Sequence, residues 1–258
     1  MIKLSVEAIK DFQTCERLYD YRHVEKMPEK ISSRDILIPK FESTIKNIIF
    51  FFWYKKQAGL NPSYISLLNR WEKLWFPKDT DHYDLITEQH ETVYANMTSM
   101  TTKAAGILMT FHEKYSETNY MPIGISEDYI NVIESDLIVE DKFDLILIND
   151  KKINVVKILF NYKNANRFAH QIDFASMHEA FRQKHPNKIS LAEFGYIDIL
   201  SSDLSIINYD INQEDVDSYG YWSLNIKDKK VFVPRRGLTY YCKKCPFDDP
   251  CSKWKEWK

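Results

Sequence analysis

Four cysteines constrain this chain more than any other feature. Three lie close together near its end, Cys242, Cys245 and Cys251, spaced C-x2-C-x5-C, and the fourth, Cys15, lies near its beginning. A structure that gathers the four thiols must close almost the whole chain into one loop. In a chain-entropy treatment a permanent crosslink of that reach contributes roughly 5 kcal/mol to stability. Four thiolates suit an iron–sulfur cluster or a tetrahedral zinc ion. The spacing favours the cluster. Structural zinc draws its ligands from two compact knuckles, whereas here one ligand is isolated and three share a short loop. Two disulfides, or four unrelated buried thiols, are the competing readings. A chain of 258 residues with 44% apolar side chains can bury a core large enough to fold without staples.

Other features exclude function classes. There are only six glycines, and neither G-x-G-x-x-G nor G-x-x-x-x-G-K-[ST] occurs, so no glycine-rich loop cradles a phosphate. The net charge of −2 supplies no global field toward nucleic acid, and a site for it must be a local basic patch. The first seven residues form no apolar leader, and the most apolar run, 45–54, contains Lys46 and Asn47 and is too short to span a bilayer. The expectation is a soluble, cytoplasmic protein in a reducing compartment, with no membrane partner.

Periodicity organises the chain. Ser5 is placed to cap a helix bearing Ala8, Ile9, Phe12 and Cys15 at helical spacing. A second helix is expected over 41–57, burying Ile45, Ile48, Ile49, Phe52 and Trp53. Asn61 and Pro62 should open a third, reaching about Phe76 with Ile65, Leu68, Trp71, Leu74 and Trp75 inside. A fourth is expected over 85–116. Beyond Pro122 the pattern becomes strand-like at 129–132, 137–139, 143–148 and 153–160, with a turn at 149–152. A helix over 165–184 ends at His185-Pro186, strands follow at 189–199 and 204–209, and a helix covers 212–223. The expected architecture is α/β: one domain over 1–258 with a mixed central sheet flanked by helices, a helical lobe at 41–118, a core at 121–211 and a cysteine-rich tail at 238–258.

This arrangement resembles the RecB-type branch of the PD-(D/E)XK nuclease superfamily, in particular its iron–sulfur members, the CRISPR-adaptation exonucleases and the nuclease domain of AddB. The resemblance is carried by Ser5, Phe12, Cys15, Arg17 and Tyr21 in the opening segment, by the spacing of Cys242, Cys245 and Cys251, and by the order of lobe, sheet and helix. It implies a restriction-endonuclease-like fold and a 4Fe–4S cluster joining the two ends, with zinc as the alternative occupant. It also implies DNA as the partner, single-stranded or at ends, and a possible protein partner in a DNA-processing assembly.

The resemblance further implies carboxylates that hold Mg²⁺ or Mn²⁺ beside a lysine, so that the metal activates water against a phosphodiester. Asp144 matches the first carboxylate. The following strand departs from the pattern: Lys157 stands in the acidic slot and Leu159 in the lysine slot. No histidine falls within 42–46, and Gln171 of a Q-x-x-x-Y motif survives while its tyrosine slot holds Ala175. No acidic residue occurs between Ile153 and Gln171, and Glu134, Asp136, Glu140 and Asp141 could supply a carboxylate only from elsewhere. The expected function is a catalytically degenerate DNA-binding or scaffold subunit. Lys157, Gln171, Arg235 and Arg236 are its candidate nucleic-acid contacts, with Arg167, Lys184, Lys243, Lys244, Tyr240 and Tyr241 in support. The alternatives are an active exonuclease with a displaced carboxylate, which alone would require Mg²⁺ or Mn²⁺, and a metal-stapled structural subunit with no nucleic-acid role.

Overall fold

The computed structural model describes residues 1–29, 33–75, 90–160 and 167–234, together with Cys242, residues 245–247 and Cys251. Its first strand, β1 (Ile2–Ser5), was not expected from the sequence. Four residues with one buried side chain carry little periodicity, and the strand is recruited by parallel pairing with residues 137–140. Ser5 then caps α1 (Val6–Thr14), its hydroxyl accepting the Ala8 N–H at 3.0 Å. Cys15 ends α1 in extended backbone and opens the short α2 (Glu16–Tyr19), which continues into a π-helical turn over Asp20–Val24.

The lobe helices are α3 (Ser33–Gln57), α4 (Tyr64–Trp75) and α5 (His90–Tyr115). Helix α3 begins earlier than expected and carries Pro39 inside it. Helix α4 starts at Tyr64 with Ser63 accepting the Ser66 N–H, so the expected cap at Asn61 is not used. Its buried stripe is Leu67, Trp71 and Trp75, while Ile65, expected inside, is exposed. The stack of Trp71 on Trp75, with Phe41 against both, fixes which side of α4 faces inward. The expected helix start at 85 lies outside the described residues.

Among the described residues the sheet has six strands. After β1 come β2 (Met121–Glu134), β3 (Leu137–Asn149), β4 (Lys152–Leu159), β5 (Ala192–Asp198) and β6 (Ile206–Asn208), and the path β1-β3-β4-β5-β6 has β2 paired on β3. The β1–β3 and β4–β5 pairs are parallel and the others antiparallel. The three short strands expected between 129 and 148 are two long ones, because the polar run Glu140-Asp141-Lys142 stays in register with residues 128–130. The expected strand over 189–199 begins only at Ala192, after a 3₁₀ helix over Pro186–Leu191. Helix α6 (Arg167–Lys184) follows β4. Helix α7 (Gln213–Asp228) opens with a capping box between Asn212 and Asp215 and runs past its expected end at 223.

Strand alternation divides the sheet's two faces. Leu145, Leu147, Val156, Ile158 and Ile197 pack against α3, α4 and α5. On the other face Ile146, Ile153, Val155 and Leu159 pack against Phe174, Met177 and Phe181 of α6. Helix α1 joins α6 and α7 over Leu137 and Val139. The sheet is therefore covered on both sides, and polar groups that enter it must be paired. No helix among the described residues is long and apolar enough to cross a membrane.

Candidate functional site

The β3–β4 ladder stops at the pair Leu145–Val156, and Asp144 stands where the two strands part. Its Oδ2 accepts the Ile158 N–H at 2.7 Å, so a side chain supplies the acceptor that the missing ladder bond would have given. The same oxygen accepts from Lys46 Nζ of α3 at 3.0 Å. Lys46 lies within 42–46, where no histidine occurs, and it brings an ammonium to the carboxylate.

Lys157 follows from the alternation of β4. It shares a face with Val155 and Leu159, which puts it under α6 with its side chain 13% exposed. There its Nζ lies 3.0 Å from Asp173 Oδ1 and 3.3 Å from Asp141 Oδ2. The other oxygen of Asp173 takes Lys10 Nζ of α1 at 2.8 Å and His170 Nδ1 at 3.3 Å. Burial by itself would strip the charge from both Lys157 and Asp173. Each is held charged by the other. Against its burial, the Lys157 ammonium is kept well above the usual lysine range by Asp173 first, then Asp141 and Asp144. Against its own burial, the Asp173 carboxyl is held far below the usual carboxylate range by Lys157 and then Lys10.

Three ammonium groups, Lys10, Lys46 and Lys157, thus face three carboxylates, Asp141, Asp144 and Asp173. The set is electrically balanced without a metal. A divalent cation entering among these carboxylates would meet lysines already seated there, and like unit charges 4 Å apart repel by about 4 kcal/mol at an effective dielectric of 20. The residues present do not fit Mg²⁺ or Mn²⁺. The hollow beside the cluster, about 570 Å³, is also lined by Asp128, Glu140 and Lys142. These are paired as well, Lys142 with Asp128 at 3.2 Å and Glu140 with Lys3 at 2.8 Å.

The cysteines form a second locus. The ring of Phe247, fully buried, packs on Tyr21 with centroids 5.4 Å apart, so the tail lies against the opening segment. The Cys251 thiol is pushed up by burial and then by the charges of Cys15, Cys245 and Cys242, with Arg17 opposing them. The other three sulfurs are therefore within electrostatic reach of Cys251. Among the described residues no three His, Cys, Asp or Glu side chains stand close enough to form a metal site, so the thiols are neighbours rather than a closed ligand shell. None of the four is in a disulfide, and four thiols are the donor chemistry of a thiolate-bound group.

The other site residues read from the sequence are dispersed. Gln171 is buried on α6, and Lys184 pairs with Glu127 at 2.9 Å. Arg235, Arg236, Tyr240, Tyr241, Lys243, Lys244 and the side chain of Arg167 lie outside the described residues. Three members of the ion cluster, Lys10, Lys46 and Asp173, were not singled out from the sequence. Asp173 did leave a signal: with Met177 and Ala180 it recurs at i, i+4 and i+7, which sets an acidic residue on the buried stripe of α6.

No protein-family model matches the chain. No curated protein matches it either. Among solved structures the chain is similar to the crystal structure of SSO0001, at 14% identity over 95% of this chain and 84% of that one, with a TM-score of 0.40.

Proposed function

We propose that this chain is a restriction-endonuclease-like protein of the RecB type in which lysines have replaced catalytic metal, and that it serves DNA processing as a binding or scaffold subunit. One observation carries this reading: the Lys157 ammonium is seated between Asp173 and Asp141, beside Asp144, where a hydrolytic site would need a dication. With Lys46 on Asp144, each carboxylate of the group already faces an ammonium. The cluster's chemistry is cohesive. It joins α1, α3, β3, β4 and α6 at the point where the sheet opens.

Cys15, Cys242, Cys245 and Cys251 would hold a 4Fe–4S cluster, or zinc as the alternative. When bound, that group supplies a tie between the chain's two ends. The chain's own part is to present the thiols from a helix boundary at Cys15 and from the short turns that close at Cys245 and Cys251. An anaerobic absorbance spectrum separates the two occupants, since a cluster gives a broad visible shoulder and zinc gives none. DNA contact then falls to Arg235 and Arg236, just before the tail, with Lys243 and Lys244 within it.

The test is incubation of the purified protein with labelled single-stranded DNA and Mn²⁺, alongside a salt-dependent binding titration. Salt-sensitive binding without cleavage is the expected result. A second reading, an active nuclease with a displaced carboxylate, draws on the convergence of Asp141 and Asp173 near Asp144. Degradation that Asp144→Ala abolishes would establish it and overturn the first. A flat binding response at low salt would leave a purely structural subunit.

A further inference from the structure

A second hollow lies at the hairpin end of the sheet, on the α6 face. Its existence follows from unequal lengths. Helix α6 stops at Lys184, where His185-Pro186 turns the chain into the 3₁₀ helix, whereas β3 and β4 run on to a tight turn in which Asp150 takes φ +54°. Ile148, half-buried, floors the space beyond the helix end with the edges of Ile146 and Ile153, which are themselves packed under α6, and Phe181 and Leu191 form the opposite wall. Its volume is about 580 Å³, within the range of small-molecule sites. Leu191 is 49% exposed and Ile123, at the mouth, 46%.

The rim is basic. Lys151, Lys184, His185 and Lys188 surround the opening with Glu127 as the one acid. Glu127 is bound by Lys184 at 2.9 Å, which cancels that pair. Lys151 and Lys188 form no ion pair among the described residues. An aliphatic floor below two uncompensated ammonium groups is complementary to an anion with a hydrocarbon body. A nucleobase suits it less, because Phe181 is the one ring of the wall and the His185 ring already leans on it at 4.9 Å.

We propose that this hollow binds a free carboxylate bearing an aliphatic chain, the chain lying on Ile146, Ile148 and Ile153 and the carboxylate held by Lys151 and Lys188. The site is remote in kind from the ion cluster and does not depend on the nuclease-like reading. The probe for the test is a dansyl-labelled undecanoate, titrated by fluorescence into the full-length protein. Saturable binding with one site per chain is expected, displaced by decanoate and not by decanol. The Lys151→Glu, Lys188→Glu double variant should bind roughly tenfold more weakly or worse while melting at an unchanged temperature, since both side chains are exposed. Leu191→Asp should weaken binding from the apolar side. Displacement by decanol as effective as by decanoate, displacement by adenosine monophosphate, undiminished affinity in the double variant, or association only with anionic phospholipid vesicles would each overturn the proposal.

Discussion

Replacing Lys157 with methionine keeps the stem's packing under α6 and removes only the ammonium. Two close ion pairs, at 3.0 and 3.3 Å, are lost, and Asp173 stays buried with its side chain 4% exposed. Breaking a buried pair from one side costs about 3–5 kcal/mol, because the surviving charge remains desolvated. In a chain of this size that is a fall in melting temperature on the order of 10 °C. The pH dependence carries the diagnosis. In the wild type the depressed Asp173 carboxyl contributes stability that is present above the unfolded carboxylate pKa, about 4, and is lost as pH falls toward its folded value. In the variant Asp173 keeps Lys10 and His170 but loses Lys157, so its carboxyl is held down less and the deficit relative to wild type shrinks as pH falls below about 4. Urea denaturation followed by circular dichroism at several pH values reads both. The Lys157→Met, Asp173→Asn double variant should recover at least about 2 kcal/mol against the sum of the single losses. A deficit below about 1 kcal/mol that is independent of pH, or strict additivity, would show that the cluster is not a coupled unit.

Other perturbations test other joints. Cys15→Ser should remove the visible absorbance that the proposed cluster would give and speed amide exchange in α1 and α2, with Phe247 losing its protection on Tyr21. Gly195→Ala places a Cβ 2.6 Å from the Ile207 carbonyl oxygen, so β6 must shift, and thermal melts should register a loss of about 1–3 kcal/mol. Asn212→Ala removes the capping box of α7 and should cost about 1 kcal/mol by urea titration. Glu179, held down to about 2 by the His178 hydrogen bond and then by Arg182, contributes stability above pH 4.5 that is lost as pH falls toward 2; Glu179→Gln should flatten that part of the acid limb.

Strong apolar periodicity made much of the fold legible. The α6 face of β4 and the buried positions of α3 follow from spacing alone, since Ile45, Ile48, Ile49, Phe52 and Trp53 are all buried as expected. Failures occurred where a tertiary partner decides. Strand β1 is too short to announce itself and exists because β3 offers an edge to Ile2–Ser5. The 140–142 segment looks like a break in sequence and is strand because Asp141 and Lys142 have ionic partners across the sheet. The turn of α4 depends on a tryptophan stack that spacing does not determine.

The same distinction explains the site. The lysine at 157 was legible as an anomaly, since the resemblance implies a carboxylate in its slot. Its meaning lies in residues far along the chain, since Asp173 on α6, Lys10 on α1 and Lys46 on α3 arrive through the packing of three separate helices. A single charge reversal at a metal-binding position would leave a buried ammonium among mismatched neighbours. Here the reversal comes with a carboxylate on the facing helix and with lysines that neutralise the remaining acids. Charges matched at that many positions form a joint that is present from the moment the chain folds and cannot dissociate. Under the proposed function, loss of catalysis and gain of a joint between lobe and sheet are one structural change, and a substitution that undoes either should undo both.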